Sequence, residues 1–316
     1  MKKIVGALLL ACVFSVSVEA ADKIRIAITN YNITYLTAGV AVKKGFFKEE
    51  GLDPEIILIT ANVSISALAS GYIDYTMVFS AVVRAAMRGV PVKVVATFIN
   101  SPTYLILVRP GIQSFKDLKG RSLAIGSFGS SADVVAQLIS QHFGLDPKKE
   151  LKLIALGSDS ARLAAMSQGI VDGALVAPPS DSEGKKMGFN VLVRANEIVR
   201  FPYMGLGTTV RKLSERPDEV RRVVKAAIKA NQFMMKNRDE TIQILADWAK
   251  TDRASAAASF DSTAKGFSPN GYIPDDGLKV VIDQAKVDAK IVRDVSSAEV
   301  ADLNPVREAM KELGVK

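Results

Sequence analysis

Short apolar runs alternate with stretches of helical period from Ile24 to about Arg211. IRIAIT (Ile24–Thr29) predicts a first strand closed by the turn residues Asn30, Tyr31 and Asn32, and the apolar spacing from about Thr34 to Lys44 predicts a helix that Gly45 stops. EIILIT, YTMVFS and VKVVATFI predict further strands, with ISALASG and AVVRAAMRG as the helices between them. TYLILVR (Thr103–Arg109) reads as strand and is ended by Pro110-Gly111, where a unit boundary is expected. A second unit runs through SLAIG, a helix opening near Ser130, LKLIAL, ARLAAMSQG, GALVA, SEGKKMG and NVLVRA. YMGLGTTVR (Tyr203–Arg211) predicts a strand leading back to the first unit, and beyond Pro217 amphipathic runs from DEVRRVVKAAIKANQFMMKN to NPVREAMKEL predict helices that cover a sheet. Alternation of this kind predicts an α/β protein whose mainly parallel sheets are flanked by helices.

The tetrapeptide GLDP occurs twice, at Gly51–Pro54 and Gly144–Pro147. Glycine followed by proline suits any helix exit, so the flanks decide whether the match means more. Each copy stands between a helical run and a strand-like one, and downstream each half repeats a glycine, two residues and an aspartate: Gly71 with Asp74, and Gly169 with Asp172. A short strand and a small-residue turn follow, Ser80-Ala81 in one half and Pro178-Pro179 in the other. Two halves built alike predict two lobes facing each other across a cleft. Asp74 and Asp172 are expected to be turn or capping groups.

The first residues change the picture of where such a protein works. MKKIVGALLLACVFSVSVEA has two lysines, an apolar stretch and a small-residue site at Val18-Glu19-Ala20, which predicts a signal peptide over residues 1–20. A membrane anchor is a poorer reading because Glu19 interrupts a stretch shorter than the roughly 20 residues a span needs. Leu9-Leu10-Ala11-Cys12 also resembles a lipobox, so lipid attachment at Cys12 stays open. Cys12 is the only cysteine, so no disulfide is possible. The net charge of +8 is scattered, without a basic arm or interleaved aromatics, which argues against nucleic acid and leaves a field that attracts small anions.

AVKKGFFKEEGLDPEIILIT, ALASGYIDYTMVFSA, GVPVKVVATF, SFKDLKGRSLAIGSFGSSADVVAQ and AAMSQGIVDGALVAPP together resemble the periplasmic substrate-binding proteins of ABC importers, in the group that handles nitrate, sulfonates, taurine and thiamine-precursor-like solutes. The resemblance implies a two-lobe periplasmic-binding-protein-like fold (type II), with lobes at 21–109 plus 202–316 and at 110–201 joined by two hinge strands. It implies closure on a small-molecule solute, delivery to an ABC transporter permease driven by a cytoplasmic ATPase, a periplasmic monomer, and no cofactor. The chain contains no GxxxxGK[ST], so ATP chemistry is not expected in it.

Ligands of open α/β sheets bind beyond the carboxyl ends of the strands, and this rule selects loops without help from the resemblance. The first lobe offers Asn30, Tyr31, Asn32, Asn62, Ser64, Ser80 and Ala81; the second offers Ser127, Phe128, Gly129, Ser130, Ser131, Asp159 and Pro178, with Tyr203 near the return crossing. GSFGSSAD carries the most weight: its glycines allow a tight turn, and its serines present hydroxyl and N–H groups at a helix start that favours an anion. The same residues also read as a plain helix cap. No arginine lies in these loops, although Arg84, Arg162 or Arg200 could reach in, so the charge of the solute stays open.

An enzyme is the rival reading, because the fold that the resemblance implies is shared with thiamine-pyrimidine synthases that use histidines. His142 is the only histidine and stands at a helix end, so neither a Ser/His/Asp triad nor a His/Cys metal site has its parts. A ligand-sensing receptor subunit is the other alternative.

Overall fold

Ten strands, β1 (Asp22–Ile28), β2 (Leu52–Leu58), β3 (Tyr75–Thr76), β4 (Val92–Ile99), β5 (Leu105–Val108), β6 (Ser122–Ile125), β7 (Lys152–Ala155), β8 (Gly173–Val176), β9 (Asn190–Arg194) and β10 (Met204–Thr209), make two five-stranded sheets. They belong to a computed structural model that describes residues 21–315; the expected leader and Cys12 lie outside the described residues. Their orders, β2-β1-β3-β10-β4 and β7-β6-β8-β5-β9, are the same order drawn twice. The likeness of the halves seen in sequence is therefore a likeness of topology.

Each sheet is mainly parallel, as expected, with a single antiparallel strand inserted at the same place. β2, β1 and β3 run parallel, as do β7, β6 and β8, but β10 enters the first sheet antiparallel to β3 and β4, and β5 enters the second antiparallel to β8 and β9. Each inserted strand is the first that the chain makes after crossing between sheets. That moves the boundary expected after Arg109: β5 belongs with the second sheet, and the crossing lies at residues 100–104. LILV is buried at every position, which suits a strand with neighbours on both sides. The return crossing lies at residues 199–203. The crossings are irregular rather than the expected hinge strands, tied to the sheets by Tyr203 N–H to Ile99 carbonyl at 2.8 Å and Ala195 N–H to Tyr104 carbonyl at 2.9 Å.

Helices predicted in the last third are present as Pro217–Lys236, Arg238–Ala249, Arg253–Thr263, Asp275–Ala289 and Asn304–Leu313. YTMVFS is strand only at Tyr75–Thr76, and Ser80 and Ala81 lie in the first turn of the helix Phe79–Met87. In the second sheet the period-two alternation sorts side chains to two cores. Ile106, Val108, Leu123 and Ile125 join the large core shared with the first lobe, while Leu107, Ala124 and Val176 pack with Leu163, Met166 and Phe189 on the other face.

The paired aspartates hold equivalent places. Asp74 Oδ2 accepts the backbone N–H of Arg25 at 2.8 Å, and Asp172 Oδ2 accepts the backbone N–H of Ser122 at 2.9 Å and its hydroxyl at 2.8 Å. Each aspartate also donates its own N–H to the carbonyl of the same strand residue, closing a two-bond clasp between neighbouring strands. Burial raises the Asp172 carboxyl, but the Ser122 donors and the charge of Arg109 outweigh it and hold the group below its usual range. A carboxylate depressed on folding stabilises the fold above its unfolded value, near 3.9, and the benefit is lost as pH falls through the lower folded value. Asp172→Ala is expected to cost about 1–3 kcal/mol in urea unfolding at pH 7, with a difference from the parent that shrinks below about pH 4; a constant difference down to pH 3 would contradict the clasp.

Candidate functional site

The carboxyl ends of β1, β2, β6 and β7 enclose a cavity of about 260 Å³ between the lobes. Thr29, Asn30, Leu58, Ile59, Thr60, Ala61 and Val78 come from the first lobe, and Gly126, Ser127, Ser130, Ser131, Gly157, Ser158 and Arg162 from the second. The rings of Tyr35 and of Tyr104, which sits on a crossing segment, complete the wall.

Four helices start at this cavity: Ala61–Ala69, Phe79–Met87, Ser131–His142 and Asp159–Ser167, each contributing its first or capping residue to the wall. The second-lobe helices are capped by their own serines, Ser130 Oγ accepting from Asp133 N–H and Ser158 Oγ from Ala161 N–H. Each helix start carries roughly half a positive charge.

Asp159 and Arg162 stand one turn apart at the start of the last of these helices and pair through Oδ1 and Nη2, with 3% and 0% of their surfaces exposed. Burial lowers the Arg162 pKa, opposed by the neighbouring hydroxyls of Tyr104, Tyr203 and Tyr35, and the guanidinium stays charged at neutral pH. Its Nε and the Oγ of Ser131 are buried without a partner among the described residues. Burial raises the Tyr35 hydroxyl, which bonds Thr29 Oγ1 at 2.7 Å and is a neutral group at the wall.

Only part of the expected site lines the cavity: Asn30, Ser127, Ser130 and Ser131 do. Asn32, Asp159 and Pro178 instead fasten the lobes together. Asn32 Nδ2 donates to Asp159 Oδ2 at 2.7 Å, the Ile33 N–H donates to the Pro178 carbonyl at 3.1 Å, and the Asp159 N–H donates to Asn30 Oδ1 at 3.4 Å. Tyr31 is exposed and meets Trp248 edge-on, and the Trp248 indole N–H reaches the Asn32 carbonyl. Asn62 points to solvent, while Ser64 is buried with its hydroxyl on the Ala61 carbonyl, because the two sit on opposite faces of the first turn of their helix. Ser80 is buried, with its hydroxyl unpartnered among the described residues, and does not line the cavity, and Ala81 packs on Ala61 and Val78. Phe128 is exposed at the loop tip, Gly129 turns the loop, and Tyr203 is buried behind Tyr104, edge-on to its ring.

The family model described as NMT1/THI5 like matches residues 32–241. The chain belongs to the NMT1/THI5-like family. Among relatives of this NMT1/THI5-like protein, YtlA of Bacillus subtilis (strain 168), whose name carries only a binding role, is 26% identical over 81% of this chain and 79% of its own. The periplasmic nitrate-binding protein NrtA from Synechocystis PCC 6803 shares the fold with a TM-score of 0.78 at 14% identity, covering 94% of this chain and 90% of that one. A periplasmic sulfonate-binding protein, SsuA from Methylobacillus flagellatus KT, does so with a TM-score of 0.73 at 18% identity, covering 95% and 97%. The two-lobe α/β architecture is thus that of periplasmic binding proteins.

Arg162, Tyr35 and Tyr104 are wall residues outside the expected loops. The i, i+3 spacing of Asp159 and Arg162 places them on one helix face and could have indicated the pair, whereas Tyr104 reaches the wall only through the path of the crossing. Asn32→Ala leaves an oxygen of the buried Asp159 without its donor from the other lobe, so the closed form is expected to lose roughly 1–3 kcal/mol against the open one. Small-angle X-ray scattering reads this as a larger radius of gyration, and an unchanged curve would refute the fastening role.

Proposed function

We propose that this protein is an extracytoplasmic solute-binding protein that closes on a compact organic anion and delivers it to the permease of an ABC importer. The observation that carries this reading is the cavity's two-sided chemistry. Four helix starts, the unpartnered Arg162 Nε and the Ser131 hydroxyl offer donors, and Leu58, Ile59, Val78, Tyr35 and Tyr104 offer an apolar and aromatic surface. Asp159 cancels the formal charge of Arg162, but four helix starts at roughly half a charge each leave the site favourable to a negative group. A bare inorganic anion would leave the apolar wall unfilled. A small carboxylate or sulfonate with a short aliphatic or single-ring body uses both sides, and the volume lies below the about 300–1,000 Å³ of drug-sized sites.

Family membership and the shared fold support capture by lobe closure, and the sequence of residues 1–20 supports export. The cross-lobe bonds of Asn30, Asn32 and Ile33 exist only when the lobes meet, so a solute that completes the cavity shifts the population towards the closed form. A monomer suffices, since both halves of the site come from one chain.

The test is a thermal-shift screen of residues 21–316 against small carboxylates, sulfonates, nitrate and neutral pyrimidines, with mass spectrometry of the denatured protein to detect a solute carried through purification. A solute at a hundredfold excess over its dissociation constant is expected to stabilise the fold by about 2.7 kcal/mol. Organic acids should raise the melting temperature, and Arg162→Met should weaken them about 10- to 100-fold while the urea-unfolded fraction at zero denaturant stays negligible. Shifts from neutral pyrimidines alone would overturn the anion assignment.

A further inference from the structure

On the far side of the serine loop from the cavity, a second set of groups joins the lobes. Arg84, on the first-lobe helix Phe79–Met87, lays its guanidinium against Gly129 of the second lobe. A Cβ built on Gly129 would fall 2.1 Å from Arg84 Nη1, and the residue holds φ at +80°, so glycine alone permits this seat. Gly129 lies between Ser127 and Ser130-Ser131, all of which line the cavity.

The same loop is tied from behind. The Gly129 N–H donates to Asp133 Oδ2 at 2.7 Å, Gln137 Nε2 donates to Asp133 Oδ1 at 3.1 Å, and Gln284 Nε2 of the first lobe donates to Gln137 Oε1 at 3.1 Å. Asp288, on the helix that carries Gln284, lies 3.6 Å from Arg84 Nη2 and 3.5 Å from Lys148 Nζ of the second lobe. Its side chain is 8% exposed, yet among the described residues both its oxygens, and Nε and Nη2 of Arg84, lack hydrogen-bond partners. Charges buried with so few bonds regain water when the lobes part, which puts this seam close to energetic balance and suits a contact that must open as well as close.

We propose that Arg84 is a positioning residue for solute capture: seated on Gly129, it sets the Ser127–Ser131 loop in its solute-accepting shape when the lobes close. It does not line the cavity and acts through the loop. Closing therefore does two things at once, enclosing the solute and shaping the donors that meet it. The proposal rests on the solute-capture reading, but the seam can be measured without any solute.

Hydrogen exchange of the solute-free protein tests it, comparing the parent with Arg84→Met, which keeps length and apolar stem, and Arg84→Lys, which keeps charge without the planar fork. Amides of residues 126–133 are expected to exchange about tenfold faster in Arg84→Met, the loss of roughly one charge-assisted contact, with Arg84→Lys in between. The amides of Ala61–Ala69, which reach the same cavity from the first lobe, serve as the internal control and are expected to stay unchanged. Exchange at 126–133 equal to the parent, or an equal acceleration at 61–69, would overturn the assignment by showing either no role or general destabilisation. Because no solute enters the measurement, a wrong solute class in the screen above leaves this result standing, and a failure here leaves the solute-capture reading untouched.

Discussion

A carboxylate buried where two lobes meet must find its compensation there, and that of Asp159 finds it on both sides. Arg162 pairs with one oxygen from within its own helix, and Asn32 donates to the other from across the cleft. Taking an ion from water costs several kcal/mol unless its bonds are replaced, so the position of Asn32 is set by the need of Asp159. The rest of the site follows from this contact. It fixes the end of β1 against the helix that follows β7, and so fixes how wide the cavity between them is.

The same pair shapes the electrostatics. An arginine left alone in the cavity would make a strong anion trap, and one fully cancelled would make a neutral hole. Asp159 removes the formal charge, and what remains is the summed polarity of four helix starts and the donors that Arg162 and Ser131 have not yet used. The Arg162 side chain is held in place by Asp159 whatever else enters the cavity, and the closed lobes exclude the water that would otherwise weaken its electrostatic interactions.

The duplicated plan of the fold explains why the cavity is two-sided. Each lobe carries its central strands in the same order, each is clasped by an aspartate at the same place, and each receives one antiparallel strand from the crossing. Strand ends and helix starts therefore face one another across a near-symmetric gap. The symmetry ends at the residues themselves: the first lobe presents Leu58, Ile59 and Val78 beside Thr29, Asn30 and Thr60, and the second presents serines, glycines and Arg162. One plan used twice supplies both sides of a single cavity, and only the first side carries aliphatic side chains of Leu, Ile and Val.

Much of this was determined locally. The α/β class, the two like halves, the helices of the last third and the serine-rich helix start at Ser130 follow from apolar periodicity, capping residues and the repeated Gly-x-x-Asp pattern, because each depends on neighbours close in the chain. Asp74 and Asp172 were legible as structural groups for the same reason. The placement of LILV in the second sheet was not, since an apolar strand carries no mark of which sheet will cover both its faces. Nor did chain position separate the loop residues that line the cavity from Asn32, Asp159 and Pro178, which bind lobe to lobe; that distinction depends on what stands opposite each loop. Tyr104 and Arg84 take their roles from groups far along the chain that only the closed tertiary structure brings within reach, whereas Arg162 pairs within its own helix and becomes a wall residue only through what stands opposite it.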